Sequence, residues 1–323
     1  VPEFSLPAVA EYDLFRRMRA SFFLLGPLLG KFNEARVSLP GGCAIGTRPV
    51  DIHLKGLEAL GADICIDEGY VVAKGPLAGG KVSLEFPSVG ATENVMMAAV
   101  KAKGSTCIRN AAREPEIVDL ADFLNKLGAK IEGAGTDTIT IEGVDALGGT
   151  EHDVIPDRIE TGTFLIAAIA TRGDVTIPNA EPAHLPNFLE KLEEAGAAIE
   201  IDGPKIRAHA ADGIEGVDVS TLPYPGFPTD LQAQTMALLT TANGTSVIRE
   251  SVFENRYMQV AELSRMGANI EVDGNAAVVR GVKALSGAQV MASDLRASAA
   301  LVIAGLMANK GETTVNRDRK SVV

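Results

Sequence analysis

The chain predicts an α/β (α+β) fold built from repeated βαβαββ units, with buried helices inside and sheets outside. Three observations carry this expectation. One segment, a helix end followed by a glycine and a strand, recurs four times, at 57–64, 124–131, 192–199 and 263–270. Its glycines, Gly61, Gly128, Gly196 and Gly267, are spaced 67, 68 and 71 residues apart. A second kind of helix, apolar on nearly every face, recurs with the same period.

Each element follows from local pattern. The helices before the four glycines are amphipathic, as in Leu120, Phe123, Leu124 and Leu127, or Leu185, Phe188, Leu189 and Leu192. Glycine ends such a helix because it adopts the left-handed backbone that closes the last turn. Strand-like alternation and a tight return come next, as in Thr138-Ile139-Thr140-Ile141-Glu142-Gly143. The second kind of helix is expected over 93–101, 160–170, 230–241 and 294–308, with a further one over 13–29 that contains Gly26-Pro27. Helices apolar all round belong in an interior, so several units are expected to pack these helices together. Thr92, Thr161, Thr229 and Ser293 are candidate N-caps. Helix starts directed inward would aim N–H groups and positive dipole ends at an anion, although caps alone prove no ligand.

Composition narrows the function classes. The 323 residues are enough for two domains. With 30 Lys and Arg against 42 Asp and Glu, the net charge of −12 argues against nucleic acid as a partner. Three cysteines (Cys43, Cys65, Cys107) are too few and scattered for a disulfide framework, which fits a reducing cytoplasm. Cys65 and Cys107 fall in apparent strands and are expected in the core. His53, His152, His184 and His209 show no ligand spacing, so no metal site is expected. The apolar stretches are too short to span a bilayer.

Chemistry concentrates in a few places. The run Leu39-Pro40-Gly41-Gly42-Cys43-Ala44-Ile45-Gly46-Thr47-Arg48-Pro49-Val50-Asp51 puts a thiol on a glycine-rich loop shortly before an arginine. Such a loop can close over an anion; equally, a lone cysteine is often only a small apolar side chain. Arg19, Arg48, Arg113, Arg158, Arg256 and Arg296 recur near the helix junctions, and Arg grips phosphate and carboxylate through its planar fork. Asp230 opens a helix after a Pro-bounded turn, where most Asp residues act as caps or dipole partners.

These residues together resemble the UDP-N-acetylglucosamine 1-carboxyvinyltransferase (enolpyruvyl transferase) family over 12–317. The motifs are Met18-Arg19-Ala20-Ser21, the Cys43 loop, Ser88-Val89-Gly90-Ala91-Thr92, Asn110-Ala111-Ala112-Arg113-Glu114-Pro115-Glu116, Pro156-Asp157-Arg158-Ile159-Glu160-Thr161-Gly162-Thr163, Phe227-Pro228-Thr229-Asp230, Phe253-Glu254-Asn255-Arg256 and Asp294-Leu295-Arg296-Ala297-Ser298. The resemblance implies an inside-out α/β barrel in each of two domains, here 1–157 and 158–317, with an interdomain active site. It implies transfer of the enolpyruvyl group of phosphoenolpyruvate to the 3-hydroxyl of UDP-N-acetylglucosamine with release of phosphate, the first committed step of peptidoglycan synthesis. By the same resemblance the enzyme is bacterial and cytoplasmic, needs no cofactor and has small-molecule partners only, with no membrane and no obligate protein partner.

Residue by residue, the resemblance implies that Cys43 is the loop thiol that donates a proton and is the target of fosfomycin. A free thiol, with a pKa of roughly 8.5, is protonated at neutral pH and can do so. Asp230 matches the carboxylate beside the sugar hydroxyl and Arg48 an anion contact that closes with the loop. Arg19 and the stretches Arg48-Pro49-Val50-Asp51-Ile52 and Phe86-Pro87-Ser88-Val89, with Val252, match the nucleotide-sugar site. Arg256 and Arg296 match positions near phosphate and carboxylate, and Asp294 one that steers protons.

The family's N-terminal Lys-Asn pair and its C-terminal arginine stretch have no counterpart here. The last six residues, 318–323, read as a non-native tail. The chain is therefore expected to be a fragment with little turnover by itself. The alternatives are a 5-enolpyruvylshikimate-3-phosphate synthase-like transferase, which lacks the Pro-Gly-Gly-Cys loop, an RNA 3′-phosphate cyclase relative, which the acidity disfavours, and a non-catalytic nucleotide-sugar-binding paralogue.

Overall fold

A computed structural model describes residues 9–10, 19–39, 50–210, 213–253 and 256–317. The chain divides into two units, the first ending at Ile155 and the second starting at Pro156.

In unit one, β1 (Val9–Ala10) is followed by a 3-10 turn (Arg19–Leu24), α1 (Leu25–Phe32), β2 (Glu34–Ser38), α2 (Asp51–Glu58), β3 (Asp63–Asp67) and β4 (Tyr70–Lys74). The sheet order is β1-β2-β4-β3, with β1 parallel to β2 and the other pairs antiparallel. The next repeat has β5 (Lys81–Ser83), α3 (Val89–Ala99), β6 (Ser105–Arg109), α4 (Pro115–Lys126), β7 (Lys130–Glu132) and β8 (Thr138–Glu142). Its order, β5-β6-β8-β7, is the same, with β5 parallel to β6.

Unit two opens with α5 (Arg158–Ala170), β9 (Asp174–Ile177), α6 (Pro186–Glu194), β10 (Ala198–Asp202) and β11 (Lys205–His209), in a sheet ordered β10-β11-β9. It continues with β12 (Val219–Ser220), a 3-10 turn (Thr229–Leu231), α7 (Gln232–Leu239), β13 (Thr245–Arg249), α8 (Gln259–Arg265), β14 (Asn269–Asp273) and β15 (Ala276–Arg280). The order β12-β13-β15-β14 repeats that of unit one. Last come β16 (Gln289–Met291), α9 (Leu295–Met307) and β17 (Thr314–Asn316), β16 and β17 forming a parallel pair.

The recurring glycine is explained by its backbone. Gly61, Gly128, Gly196 and Gly267 have φ between +86° and +106°. Each N–H bonds the carbonyl three residues back, and the following Ala N–H bonds the Leu carbonyl five residues back, as for Gly128 to Asn125 and Ala129 to Leu124. This arrangement closes an α-helix with a left-handed residue, and the Leu it uses is buried in all four copies. The apolar helices are interior as expected, and all eight residues of α7 are buried. α7 packs against α9 and α5 in unit two, and α3 packs against α1 and α2 in unit one.

Several expectations need correction. Ser88 caps α3 and Asp157 caps α5, each four residues ahead of the expected Thr92 and Thr161. Those threonines sit inside the first turn, and their hydroxyls donate back to the Ser88 and Asp157 carbonyls. Thr229 makes no cap to α7, and Asp294, not Ser293, caps α9. Cys65 is exposed and Cys107 half-buried, because β3 is the outermost strand of its sheet and the Cys107 side chain sits on the less covered face of β6.

Candidate active site

In unit two, Asp230 enters on the 3-10 turn ahead of α7, and Arg296 is the second residue of α9. They lie one repeat apart in sequence, and the packing of α7 on α9 makes them neighbours. Arg296 Nη2 donates to Asp230 Oδ2 at 2.8 Å. Arg256 Nη2 reaches Asp230 Oδ1 at 2.6 Å, so the two carboxylate oxygens are held by different guanidiniums. Arg256 is buried, but the Asp230 side chain keeps 37% of its exposure, which leaves the cluster reachable from solvent.

Burial alone would raise the pKa of Asp230. The charges of Arg256 and Arg296 and their hydrogen bonds outweigh it and hold the carboxyl at about 2. Asp294 Oδ1 accepts from the N–H groups of Arg296 and Ala297 at 2.9 and 3.1 Å, fixing the start of α9 and the backbone of Arg296. Its observed work is capping.

Behind Arg256 stands Glu250, a buried residue that follows β13. Its Oε1 accepts from Thr221 Oγ1 at 2.8 Å and from the Val252 and Phe253 N–H groups at 2.9 and 3.1 Å. Its Oε2 accepts from Thr229 Oγ1 at 2.9 Å, and Thr229 Oγ1 in turn accepts from Arg256 Nη1 at 2.8 Å. Val252, expected at the nucleotide-sugar site, lines a cleft with Glu250, Ser251, Gly274 and Asn275. Sequence reasoning missed Glu250 and the role of Thr229. A signal existed: Ile248-Arg249-Glu250 aligns with Ile108-Arg109-Asn110 of unit one, and the acid is where the repeats differ.

In unit one the structure brings two of the expected stretches together. α2 packs on α3, and His53, next to Ile52, lies against Gly90, next to Val89. Asp51 is exposed on the first turn of α2 and 3.6 Å from Lys55, which also pairs with Glu85 at 2.8 Å. Val50, Ile52 and Val89 are half-buried against the core. Phe86 is exposed, Pro87 half-buried, and Ser88 accepts the Ala91 N–H. Burial holds the His53 imidazole at about 4 despite the Asp51 charge nearby. Asn94 fixes the ring: its Oδ1 accepts the Gly26 N–H, so its Nδ2 faces His53 Nδ1 at 3.1 Å and donates to it. Glu93, by burial first and then by the charges of Glu116 and Glu114, is raised to about 7.

Cys43, Arg48 and Pro49 lie outside the described residues, and of Arg19 only the backbone is described. Among the described residues no group of three or more His, Cys, Asp or Glu is placed to hold a metal, and no helix is long and apolar enough to cross a membrane.

Known proteins share the sequence and the fold of this chain. The sequence profile described as EPSP synthase (3-phosphoshikimate 1-carboxyvinyltransferase) matches residues 4–321. The chain is 59% identical over 308 residues to UDP-N-acetylglucosamine 1-carboxyvinyltransferase 1 of Caldanaerobacter subterraneus subsp. tengcongensis, covering 95% of this chain and 74% of that protein. It is 60% identical over 312 residues to the UDP-N-acetylglucosamine 1-carboxyvinyltransferase of Azorhizobium caulinodans, covering 95% of this chain and 72% of that protein. Among solved structures, the enolpyruvyl transferase NikO from Streptomyces tendae superposes with a TM-score of 0.85 at 24% identity, over 96% of this chain and 74% of that one. EPSP synthase from Acinetobacter baumannii gives 0.66 at 19%, over 92% and 73%. At these identities the structures speak for the fold: that of the enolpyruvyl transferases.

Proposed function

We infer the reaction from one premise: the chain belongs to the EPSP synthase (3-phosphoshikimate 1-carboxyvinyltransferase) family and, within it, to the UDP-N-acetylglucosamine 1-carboxyvinyltransferases. It is an enolpyruvyl transferase of peptidoglycan synthesis that acts on small-molecule substrates. The acceptor is UDP-N-acetylglucosamine at its 3-hydroxyl, the donor is phosphoenolpyruvate, and the setting is the bacterial cytoplasm. The observation that carries this reading is the pair of guanidiniums, Arg256 and Arg296, converging on one partly exposed point at Asp230. Two arginines so placed suit a ligand with a phosphate and a carboxylate.

The steps balance without a cofactor. The Cys43 thiol gives its proton to the methylene carbon of phosphoenolpyruvate, and the sugar hydroxyl adds to the adjacent carbon and loses its proton to a base. The tetrahedral adduct then expels phosphate as the vinyl double bond re-forms, the Cys43 thiolate taking a proton back from the methyl group and the base passing its proton to the departing phosphate. Asp230 is our candidate for the base. Held at about 2 by two guanidiniums it is a feeble one. An anion that takes those guanidinium donors restores its basicity, so substrate binding and activation of the base are one event. Asp294 orients Arg296 by capping. Arg19, Arg48, Pro49, Val50, Asp51, Ile52, Phe86, Pro87, Ser88, Val89 and Val252 line the nucleotide-sugar site in this reading. The boundary between the two domains falls near Pro156 in this reading.

The test is phosphate release, on this chain and on a version extended to the length of its relatives. Release from phosphoenolpyruvate should require UDP-N-acetylglucosamine and be lost or strongly reduced in Cys43→Ala at neutral pH. Release with shikimate 3-phosphate but not with the UDP-sugar would overturn the reading. Calorimetric binding of the UDP-sugar without release from the extended version would favour a binding paralogue instead.

A further inference from the structure

We propose that Glu250 is a positioning residue that acts through Thr229 to fix the Arg256 guanidinium against Asp230. What Arg256 does for a substrate rests on the function proposed above; the geometric claim does not. Glu250 is only 2% exposed, and both of its oxygens are engaged. A buried carboxylate is stable only when it is met by donors, and here four converge on it.

The direction of the chain of bonds matters. Thr229 has one hydroxyl proton, and it goes to Glu250 Oε2. The lone pairs of the same oxygen then face Arg256 Nη1, which can only donate. The other terminal nitrogen of that guanidinium is left to bind Asp230 Oδ1. Meanwhile the Val252 and Phe253 N–H groups, pinned by Oε1, hold the loop whose Phe253 ring lies 5.1 Å from Arg256 Cζ.

Only an acid with acceptors on both oxygens satisfies this order. In Glu250→Gln, of nearly equal shape, the amide NH₂ must face either Thr229 or the two backbone N–H groups. Facing Thr229 it takes away the acceptor of the hydroxyl proton and competes with Arg256 Nη1 for the lone pairs of Oγ1. Facing Val252 and Phe253 it meets two donors. Thr229→Val removes the relay alone and leaves the Glu250 grip on the loop, while Thr229→Ser retains the hydroxyl.

The experiment is a ¹³C carboxyl titration of Asp230 by NMR in the four proteins, with thermal melting as the check on folding. In the parent and in Thr229→Ser, Asp230 should remain a carboxylate down to about pH 3. In Glu250→Gln and Thr229→Val its acid dissociation constant should fall by about tenfold or more, as Arg256 loses its fixed place. An unchanged titration in both variants, with or without a lower melting temperature, would reduce Glu250 to a loop staple and overturn the proposal. Should Glu250→Gln not fold, Thr229→Val decides the question, with Thr229→Ser as its rescue. In a turnover-competent version, both variants should raise KM for phosphoenolpyruvate more than they lower kcat. A version extended to the length of its relatives that releases no phosphate defeats the functional reading and leaves the titration standing.

Discussion

Glu93 lies in the second turn of the buried helix α3 of unit one, and Asp230 lies on the 3-10 turn that leads into the buried helix α7 of unit two. Around Glu93 the surroundings are burial and two further carboxylates, and the group is raised to about 7. Around Asp230 burial pushes the same way, but two guanidiniums pull harder, and the group falls to about 2. His53, packed near the start of α3 against Gly90 and edge-on to Phe22 at 5.1 Å, is likewise kept neutral by burial. Desolvation decides in unit one and paired charge decides in unit two. The repeat has copied a backbone while leaving its electrostatics free to diverge, and the divergence rests on single positions such as Asn110 against Glu250. Asn110, at φ +54°, spends its amide on the Leu84 carbonyl; Glu250 orders a hydroxyl, two backbone amides and, through Thr229, an arginine.

The largest effect should come from breaking the charged side of this contrast. Arg256→Met leaves Asp230 with one guanidinium and should cost turnover about 100-fold or more, read as phosphate release by the extended protein. Parental rates in that variant would mean that the paired charge of unit two serves stability alone.

The neutral side can be read from pH. His53 has a folded pKa of about 4 against 6.5, so stability is full above about 6.5 and is lost as pH falls through 4. Glu93 has a folded pKa of about 7 against 4.5, so its contribution is full below about 4.5 and is lost as pH rises through 7. Each effect is on the order of 3 kcal/mol. Asp230 follows the ordinary acid pattern, its contribution present above 3.8 and lost toward about 2. Chemical unfolding across this range should show His53→Gln removing the loss between pH 6.5 and 4 and Glu93→Gln removing the one between 4.5 and 7. Identical pH profiles for parent and variants would end the claim that burial governs unit one.

The smallest effect tests what the units share. Gly128 and Gly267 both have positive φ and open space where a Cβ would go. Gly128→Ala and Gly267→Ala should therefore each cost only the backbone strain, about 1 to 2 kcal/mol by chemical unfolding. Clearly unequal costs would show that the two helix ends are not equivalent.

The architecture was legible because its signals are local. A left-handed residue at a helix end calls for glycine, and a helix without a polar face has to be interior. The caps were not legible to the residue, because a threonine in the first turn that bonds back to the cap carbonyl looks the same in sequence as a threonine that caps. Cys65 alternates with Ile64 and Ile66 as a core strand would, yet sheet order, a tertiary property, makes β3 an edge. At the site, Asp230, Arg256 and Arg296 could be named from motifs, but their grip on one carboxylate depends on the packing of α7 on α9 across 66 residues of chain. Glu250 was hidden by its ordinariness: an acid after a strand reads as a solvated turn until the four donors around it are seen.

The common strand order has a bearing on how the molecule acquires its structure. In each complete repeat the third and fourth strands meet through a turn, as Asp67 pairs with Tyr70 and Asp273 with Ala276. Among the described residues one α-helix lies between the parallel first and second strands, and no sheet takes strands from two repeats. The strands that pair are therefore close in sequence, and the packing of helices from different repeats, as α7 on α9, joins distant parts of the chain.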